Sequence, residues 1–577
     1  MKGTRLVNGV IGGSYEADER IAGNAVSLNL YAESVEEADG GAYFTTALRS
    51  VPGELPVLSG MEVSDRNGQG CRGLFAASDD TLFAAYGEEI LRIRKNPVDG
   101  SYSYERIYTQ QEGTVGRVSF CETGGVNSFV VWIDGTETVK AYPLEPDRMP
   151  GTTAFPLEYR TPTRVYLTAD EVKLDTNFHV VPTSIRSVAG SLCINDPEND
   201  TWYYTDAYIL GGTNTTRTVY KLENGNVKYK DGSTYEIDTE EKDLGEEEPE
   251  SQTAYLWLDR YSKPRWQTAE SSADSVVALA TCGDFLMAFG TRSLQIYAQT
   301  TSTDAYGFTS MEFSSAGRNV RELGTKSPMT VAEVCGKVVF LGSATRGERS
   351  VWYSDGGAPV RISTNAIERE LSGVDTSDAY AFGYMDNGHQ FYCLTVRALR
   401  KTYCYDFATG QWHDRGTRNP DGRDVEWWAC FAACAGGDIQ VAGEGFGVLA
   451  VLDRKKFDDF RGEPIVKRRT APVVTNDFSP FMVNDIQLVW NTGTTTDTDN
   501  SMGARDPVVM LEVSTDGGNT FGNERWASGG RTGQYGHRSV WYGIGVGTMF
   551  AFRFTVTDRV NVVITGAKIS FTPLSHF

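Results

Sequence analysis

Histidine, cysteine and clustered carboxylates are the side chains that most often carry chemistry, and in this 577-residue chain their arrangement argues against most of it. The five histidines, His179, His389, His413, His537 and His576, are scattered, and none stands beside a Ser or Cys nucleophile elbow. G-x-S-x-G, H-E-x-x-H and Walker-type loops do not occur. His389 lies in a predicted hairpin turn and His413 follows Trp412, so surface or packing roles are expected for both. The nine cysteines (71, 121, 193, 282, 335, 393, 404, 430 and 434) are odd in number, and most sit in apolar stretches where Cys acts as a small hydrophobe. That usage is expected of synthesis in a reducing cytoplasm. Cys430 and Cys434 have ligand-like spacing, but no second Cys or His pair completes a zinc site. No metal or cofactor is expected.

Two groups of residues stand out. Between Glu236 and Glu250 the chain carries Glu236, Asp238, Glu240, Glu241, Asp243, Glu246, Glu247, Glu248 and Glu250 against a single Lys242. Such a stretch cannot bury apolar surface, and its simplest reading is a solvated or disordered loop; a loop that binds a cation or a partner is the alternative. The second group is Ser514, Asp516, Gly518, Thr520 and Phe521, which resembles the Asp-box of sialidases, S-x-D-x-G-x-T-W, with Phe521 replacing Trp. In that family the box stabilises a hairpin by tying the Asp to its own turn, and it recurs in every blade. Here it occurs once, so a β-hairpin is expected and a sialic-acid site is not. A glycosidase would also need ordered acidic and nucleophilic partners, which nothing in the sequence arranges.

The elements that position these residues are short strands. From Ser275 to Asp453 one phrase recurs: an apolar strand, a tight turn, a second strand, a turn and a third strand. The first turns fall at Gly283-Asp284, Gly336-Lys337, Asn387-Gly388 and Gly436-Gly437. A spacing of roughly 50 residues lies in the range of propeller blades, and Gly and Asn supply the positive φ of two-residue hairpins. Weaker copies begin at Gly73, Arg117 and Ser184. The expected fold is all-β: a six- or seven-bladed propeller over residues 1–464, interrupted by an insertion at about 207–263, then a C-terminal β-sandwich over 465–577. The insertion contains two expected strands, TVYKLE and VKYKDGSTYEI. One short helix is expected around Asn365 to Leu371, capped by Ser363 or Thr364.

Composition narrows the classes. The formal charge of −22 excludes holding nucleic acid by phosphate neutralisation, yet it suits a wall past which a duplex slides. No secretory leader is legible, and no apolar run approaches the ~20 residues of a membrane helix. Recurring Gly-His and Trp-Asp pairs of a WD-type scaffold are missing from the blades.

Ordered phrases along most of the chain resemble the packaged-DNA stabilisation proteins of P22-like short-tailed phages, the tail hub or nozzle subunits. They are LNLYAESVEEADGGAYFTTALRSVPGE, VAGSLCINDPENDTWYYTD, DRYSKPRWQTAESSADSVVAL, DFLMAFGTRSLQIYA, SVWYSDGGAPVRISTNAIEREL, VSTDGGNTFGNERW and RSVWYGIGVGTMFAFRFTVTD. The acidic insertion departs from a minimal family member. The resemblance implies a virion protein of the tail without catalytic activity, assembled in the host cytoplasm as a homo-oligomer, a hexameric ring below the portal and its adaptor protein. That ring would close the channel after packaging, pass the genomic DNA without sequence-specific binding, and carry a tail needle and tailspikes or fibres. The competing reading is a sialidase-like or glycan-binding propeller at the cell surface, in which Trp427-Trp428 or Trp202-Tyr203-Tyr204 would stack on sugar rings; blade packing is the expected role of these aromatics.

Overall fold

Tight turns set the architecture. The computed structural model describes residues 3–574 apart from 36–44, 61–69, 145–154, 161–179, 228–238, 244–253, 494–505 and shorter breaks. Gly283 (φ 57°), Asn387-Gly388 (47° and 85°) and Gly436-Gly437 (58° and 78°) have the left-handed backbone a two-residue hairpin requires. They join the pairs Cys282↔Phe285, Asp386↔His389 and Ala435↔Asp438. The fourth turn lies one residue earlier than expected. Val334 pairs with Lys337, so Cys335 (φ 49°) and Gly336 (φ 75°) make it. Register wins here over the left-handed reluctance of a non-glycine residue.

Six described strands precede the repeats, the two-residue Tyr15–Glu16 and five longer ones: β1 (Gly3–Leu6), β2 (Asn24–Leu28), β3 (Leu30–Val35), β4 (Thr45–Ser50) and β5 (Gly53–Ser59). Among the described residues seven larger sheets follow along the chain, at 71–109, 119–156, 185–204 with 265–268, 278–315, 323–361, 380–418 and 431–453, the last completed by β5. Their inner strands touch in sequence, and the seventh, Phe431–Ala435, returns to the first, Cys71–Ala76, so the ring closes. We refer to these sheets as blades 1 to 7. Gly383 is small because blades meet closely there: a Cβ would come within 2.4 Å of the Val334 side chain on the neighbouring blade. The apolar runs read from the sequence lie between blades, as in Phe289 against Phe340, whose rings meet edge-on at 4.9 Å.

The sandwich adds β6 (Lys467–Thr470), β7 (Phe481–Trp490), β8 (Val508–Ser514), β9 (Arg525–Ser528), β10 (Ser539–Gly547), β11 (Met549–Val556) and β12 (Val563–Pro573). One of its sheets runs β3-β4-β12-β7-β10, with β1 on the side of β12; the other runs β2-β6-β11-β8-β9. The expected propeller span 1–464 is therefore corrected at its start. β1 to β4 pair with sandwich strands, and Val7, Leu30 and Leu48 are buried in one core with Val483, Phe552 and Ile569. β5 instead completes blade 7 of the ring, pairing antiparallel with Val448–Asp453. The second sandwich sheet also continues into blade 6, where Leu28 pairs in parallel with Asp414. The first sixty residues thus lace the two units together.

The helix forms as expected over Asn365–Leu371. Thr364 is its cap, its hydroxyl accepting from Ile367 N at 3.4 Å, while Ser363 donates to Glu368 at 2.6 Å. The insertion leaves blade 3 between its third and fourth strands, after Thr201–Tyr204 and before Arg265–Thr268. Its expected strand TVYKLE is present as Thr216–Tyr220 and Leu222–Glu223. Of VKYKDGSTYEI only Val227 lies in a described strand, Asn226–Val227.

Candidate functional site

The inner strands enclose a cavity of about 780 Å³ along the axis of the ring. Its wall is mostly apolar and backbone, because each blade turns its first strand edge-on to the axis. Two arginines line it, and both are engaged. Arg186 of blade 3 donates to Glu333 of blade 5 at 2.9 Å, and Glu333 also accepts from the Thr281 backbone at 2.8 Å and hydroxyl at 2.9 Å. Arg117 lies over the rings of Phe431 (4.6 Å) and Tyr380 (4.9 Å) and pairs with Glu444 at 3.3 Å. Phosphate binding needs uncompensated Lys and Arg, and these arginines have spent their charge locally.

A second polar centre is buried where β5 enters the ring. Glu54 accepts the indole N–H of Trp427 at 2.7 Å, that of Trp428 at 2.5 Å and the Phe460 N–H at 3.0 Å. Arg415 stacks on Trp427 at 3.4 Å and donates to Tyr384 at 2.7 Å. Burial pushes the Glu54 carboxyl up, and Arg415 with the two indoles works against that rise. Gly53 permits the approach: a Cβ there would stand 2.4 Å from the Lys456 carbonyl carbon. The phrase Leu48-Arg49-Ser50-Val51-Pro52-Gly53 therefore marks the crossing from sandwich to ring. Sequence reasoning noted the phrase and missed Glu54, whose partners lie more than 370 positions away.

Charged side chains also fill the seam between ring and sandwich. The buried Arg469 donates to the carbonyls of Val10 (2.7 Å), Gly9 (2.7 Å) and Gly13 (3.1 Å), pinning the segment after β1. Burial lowers its guanidinium to about 9. Lys467, also buried, donates to the Asp558 carbonyl at 3.0 Å and is lowered by burial to about 7. Asp414 on blade 6 is raised by burial to about 6, against the pull of Lys401.

The residues singled out from sequence do not converge on one centre. Ser514, Asp516, Gly518, Thr520 and Phe521 lie at the connection between the paired strands β8 and β9. Asp516 accepts from the Ser514 hydroxyl (2.6 Å), the Thr520 hydroxyl (2.6 Å) and the Thr520 N–H (3.0 Å), and these bonds hold its carboxyl far below the usual range. Gly518 N–H donates to Ser514 at 2.8 Å, and the Arg553 guanidinium covers the Phe521 ring at 3.7 Å. Trp427, Trp428, Trp202 and Tyr204 are buried, which removes them as a sugar platform. His389 and His413 are buried as well: His389 pairs with Asp406 at 2.8 Å, so packing describes both and surface neither. Cys430 is buried and Cys434 exposed, and among the described residues no group of three or more His, Cys, Asp and Glu could hold a metal ion.

In the acidic run, Glu240, Glu241 and Asp243 lie on the strand Thr239–Asp243, which pairs antiparallel with Thr216–Tyr220. That is a correction to the loop reading for these three, and backbone pairing is its reason. Glu236, Asp238, Glu246, Glu247, Glu248 and Glu250 lie outside the described residues.

Two family models match, in order. Residues 258–454 match the β-propeller of bacteriophage P22 Gp10, and residues 468–572 match its β-sandwich. The chain belongs to the bacteriophage P22 Gp10 family. The two matches cover just over half of the 577 residues and are separated by residues 455–467, where blade 7 gives way to β6. Membership in the Gp10 family makes this a bacteriophage tail protein with a structural role, a component of the virion. No curated protein matches the chain. Among solved structures, similarity extends to the N-terminal domain of Nup159 (9% identity, 74% of this chain and 99% of that one, TM-score 0.33). It also extends to Kuenenia stuttgartiensis hydrazine synthase (10% identity, 72% and 99%, TM-score 0.32). Among the described residues no helix is long and apolar enough to cross a membrane.

Proposed function

We propose that this chain is the tail hub or nozzle subunit that closes the portal channel once the genome is packaged. Six copies form a ring below the portal and its adaptor protein, retain the DNA, provide the conduit for its exit, and carry the needle and the tailspikes or fibres. The observation that carries this reading is the ordered match of residues 258–454 to the Gp10 propeller and of residues 468–572 to its sandwich. Physical features support it. A ring and a sandwich that share a sheet make a stiff building block, suited to resisting internal pressure. A charge of −22 suits a structure past which DNA moves without being gripped. The nine carboxylates from Glu236 to Glu250 are candidates for a part in this passage; replacing them with Gln and Asn and finding unchanged assembly and ejection would remove them from any role.

The test is a phage carrying an early stop codon in this chain. Heads that package DNA and then lose it, with no tail tube, are expected. Particles that stay full and fail only in adsorption or glycan cleavage would overturn the reading.

A further inference from the structure

Across blade 6 one row of directly opposed residues reads Phe382, Cys393, Cys404, His413. Both cysteines are fully buried, and their Sγ atoms are 3.1 Å apart. Opposed residues of an antiparallel pair have Cα atoms about 4.5 to 5.5 Å apart, inside the range a disulfide spans, and the sulfurs need close by only about 1 Å to bond. On the far side of Cys404 the imidazole of His413 packs against Tyr31 and Phe391. Burial keeps the Cys404 thiol protonated at rest, while His413 favours its thiolate. Burial alone would make these thiols inert packing; what sets the pair apart is the 3.1 Å between the two sulfurs and the imidazole on the next rung.

We propose that Cys393 and Cys404 are an oxidisable dithiol, with His413 as the proton acceptor, which a peroxide converts into a cross-strand disulfide. His413 takes the Cys404 proton, and the thiolate attacks one peroxide oxygen. The O–O bond breaks, a sulfenic acid forms on Cys404, and the departing hydroxide takes up a proton to leave as water. Cys393 sulfur then attacks Cys404 sulfur, the S–O bond breaks, and a second water leaves. The two thiols lose two electrons and the peroxide gains them. The bond would lock the second strand of blade 6 to the third, in the blade whose fourth strand continues through β2 into the sandwich. Its value to a particle released from a reducing cytoplasm rests on the function proposed above; the chemistry does not.

The full chain, purified in reductant and then freed of it, is treated with hydrogen peroxide, denatured in a thiol-alkylating reagent without reductant, and mapped by mass spectrometry. The exposed Cys335 and Cys434 report the dose. Peptides bearing Cys393 and Cys404 are expected to become linked with loss of two hydrogens, reversibly on reduction. His413→Gln is expected to slow linkage by about tenfold or more while Cys335 reacts at its former rate. Full alkylation of both thiols at a dose that consumes Cys335 and Cys434, or linkage to other cysteines, overturns the proposal. Linkage at an unchanged rate in His413→Gln overturns the role of the histidine.

Discussion

Glu54 and Trp427, 373 positions apart in the chain, are joined by a 2.7 Å hydrogen bond from the indole N–H to the carboxylate. This contact ties the strand that closes the ring to the segment that leads into its last blade. It also places a carboxylate where burial alone would neutralise it, held by two indoles and by Arg415.

Removing that carboxylate should be costly. Glu54→Ala leaves the Trp427 and Trp428 N–H groups and the charge of Arg415 buried without it, and a loss of about 3 to 5 kcal/mol is expected. Denaturant unfolding of the purified protein, followed by tryptophan fluorescence, measures it. Glu54→Gln, which keeps one acceptor oxygen, should lose less. Equal stability of Glu54→Ala and the parent would refute the account.

Lys467 predicts a pH dependence. Its folded value, about 7, lies below the ordinary 10.5, so the unfolded chain binds the extra proton between those values. Stability from this group is fully present above 10.5 and is lost as pH falls towards 7. Lys467→Met should flatten the stability curve in that window by a few kcal/mol. A parallel displacement of the two curves would exclude Lys467 as the source.

Asp414 works in the opposite sense at lower pH. Its folded value, about 6, lies above the ordinary 3.8, so its contribution is fully present below 3.8 and is lost as pH rises through 6. Asp414→Asn is expected to be relatively more stable than the parent at pH 8 than at pH 4. Melting midpoints at the two pH values decide it.

The Asp516 turn should behave as a local brace. Asp516→Ala is expected to raise amide hydrogen exchange across residues 514–521 and to leave the inner strands of the ring unchanged. Because its hydrogen bonds hold the carboxyl so far below the usual range, acid to pH 3 should not release the turn. Rapid exchange of the turn in the parent protein at pH 3 would contradict the geometry.

Arg469 pins residues 9–13 through three carbonyl contacts. Arg469→Met is expected to free that segment, seen as proteolytic cleavage before β2 while the ring remains resistant. Unchanged cleavage would place the anchoring elsewhere, in β1 and its pairing with β12.

Much of the ring is legible in the sequence, because a two-residue hairpin requires positive φ and Gly436-Gly437 or Asn387-Gly388 states that requirement locally. The turn of blade 5 was misplaced by one residue because Cys335, a residue that avoids this conformation, occupies it; register across the pair decided the matter. Ser514 to Phe521 were readable as a hairpin for the same local reason, since the side-chain hydrogen bonds of Asp516 to Ser514 and Thr520 are made within a few positions.

The sequence by itself determined the class of fold, the repeat and the family, all of which reside in short-range turn chemistry and ordered phrases. Only the tertiary structure decided that β1 to β4 belong to the sandwich and β5 to blade 7, that Glu54 meets Trp427 and Trp428, and that Cys393, Cys404 and His413 share a row. A strand's alternation states which face is apolar and leaves its partner open. Where that partner lies hundreds of residues away, pairing is chosen by how buried surface and backbone hydrogen bonds are satisfied over the whole chain.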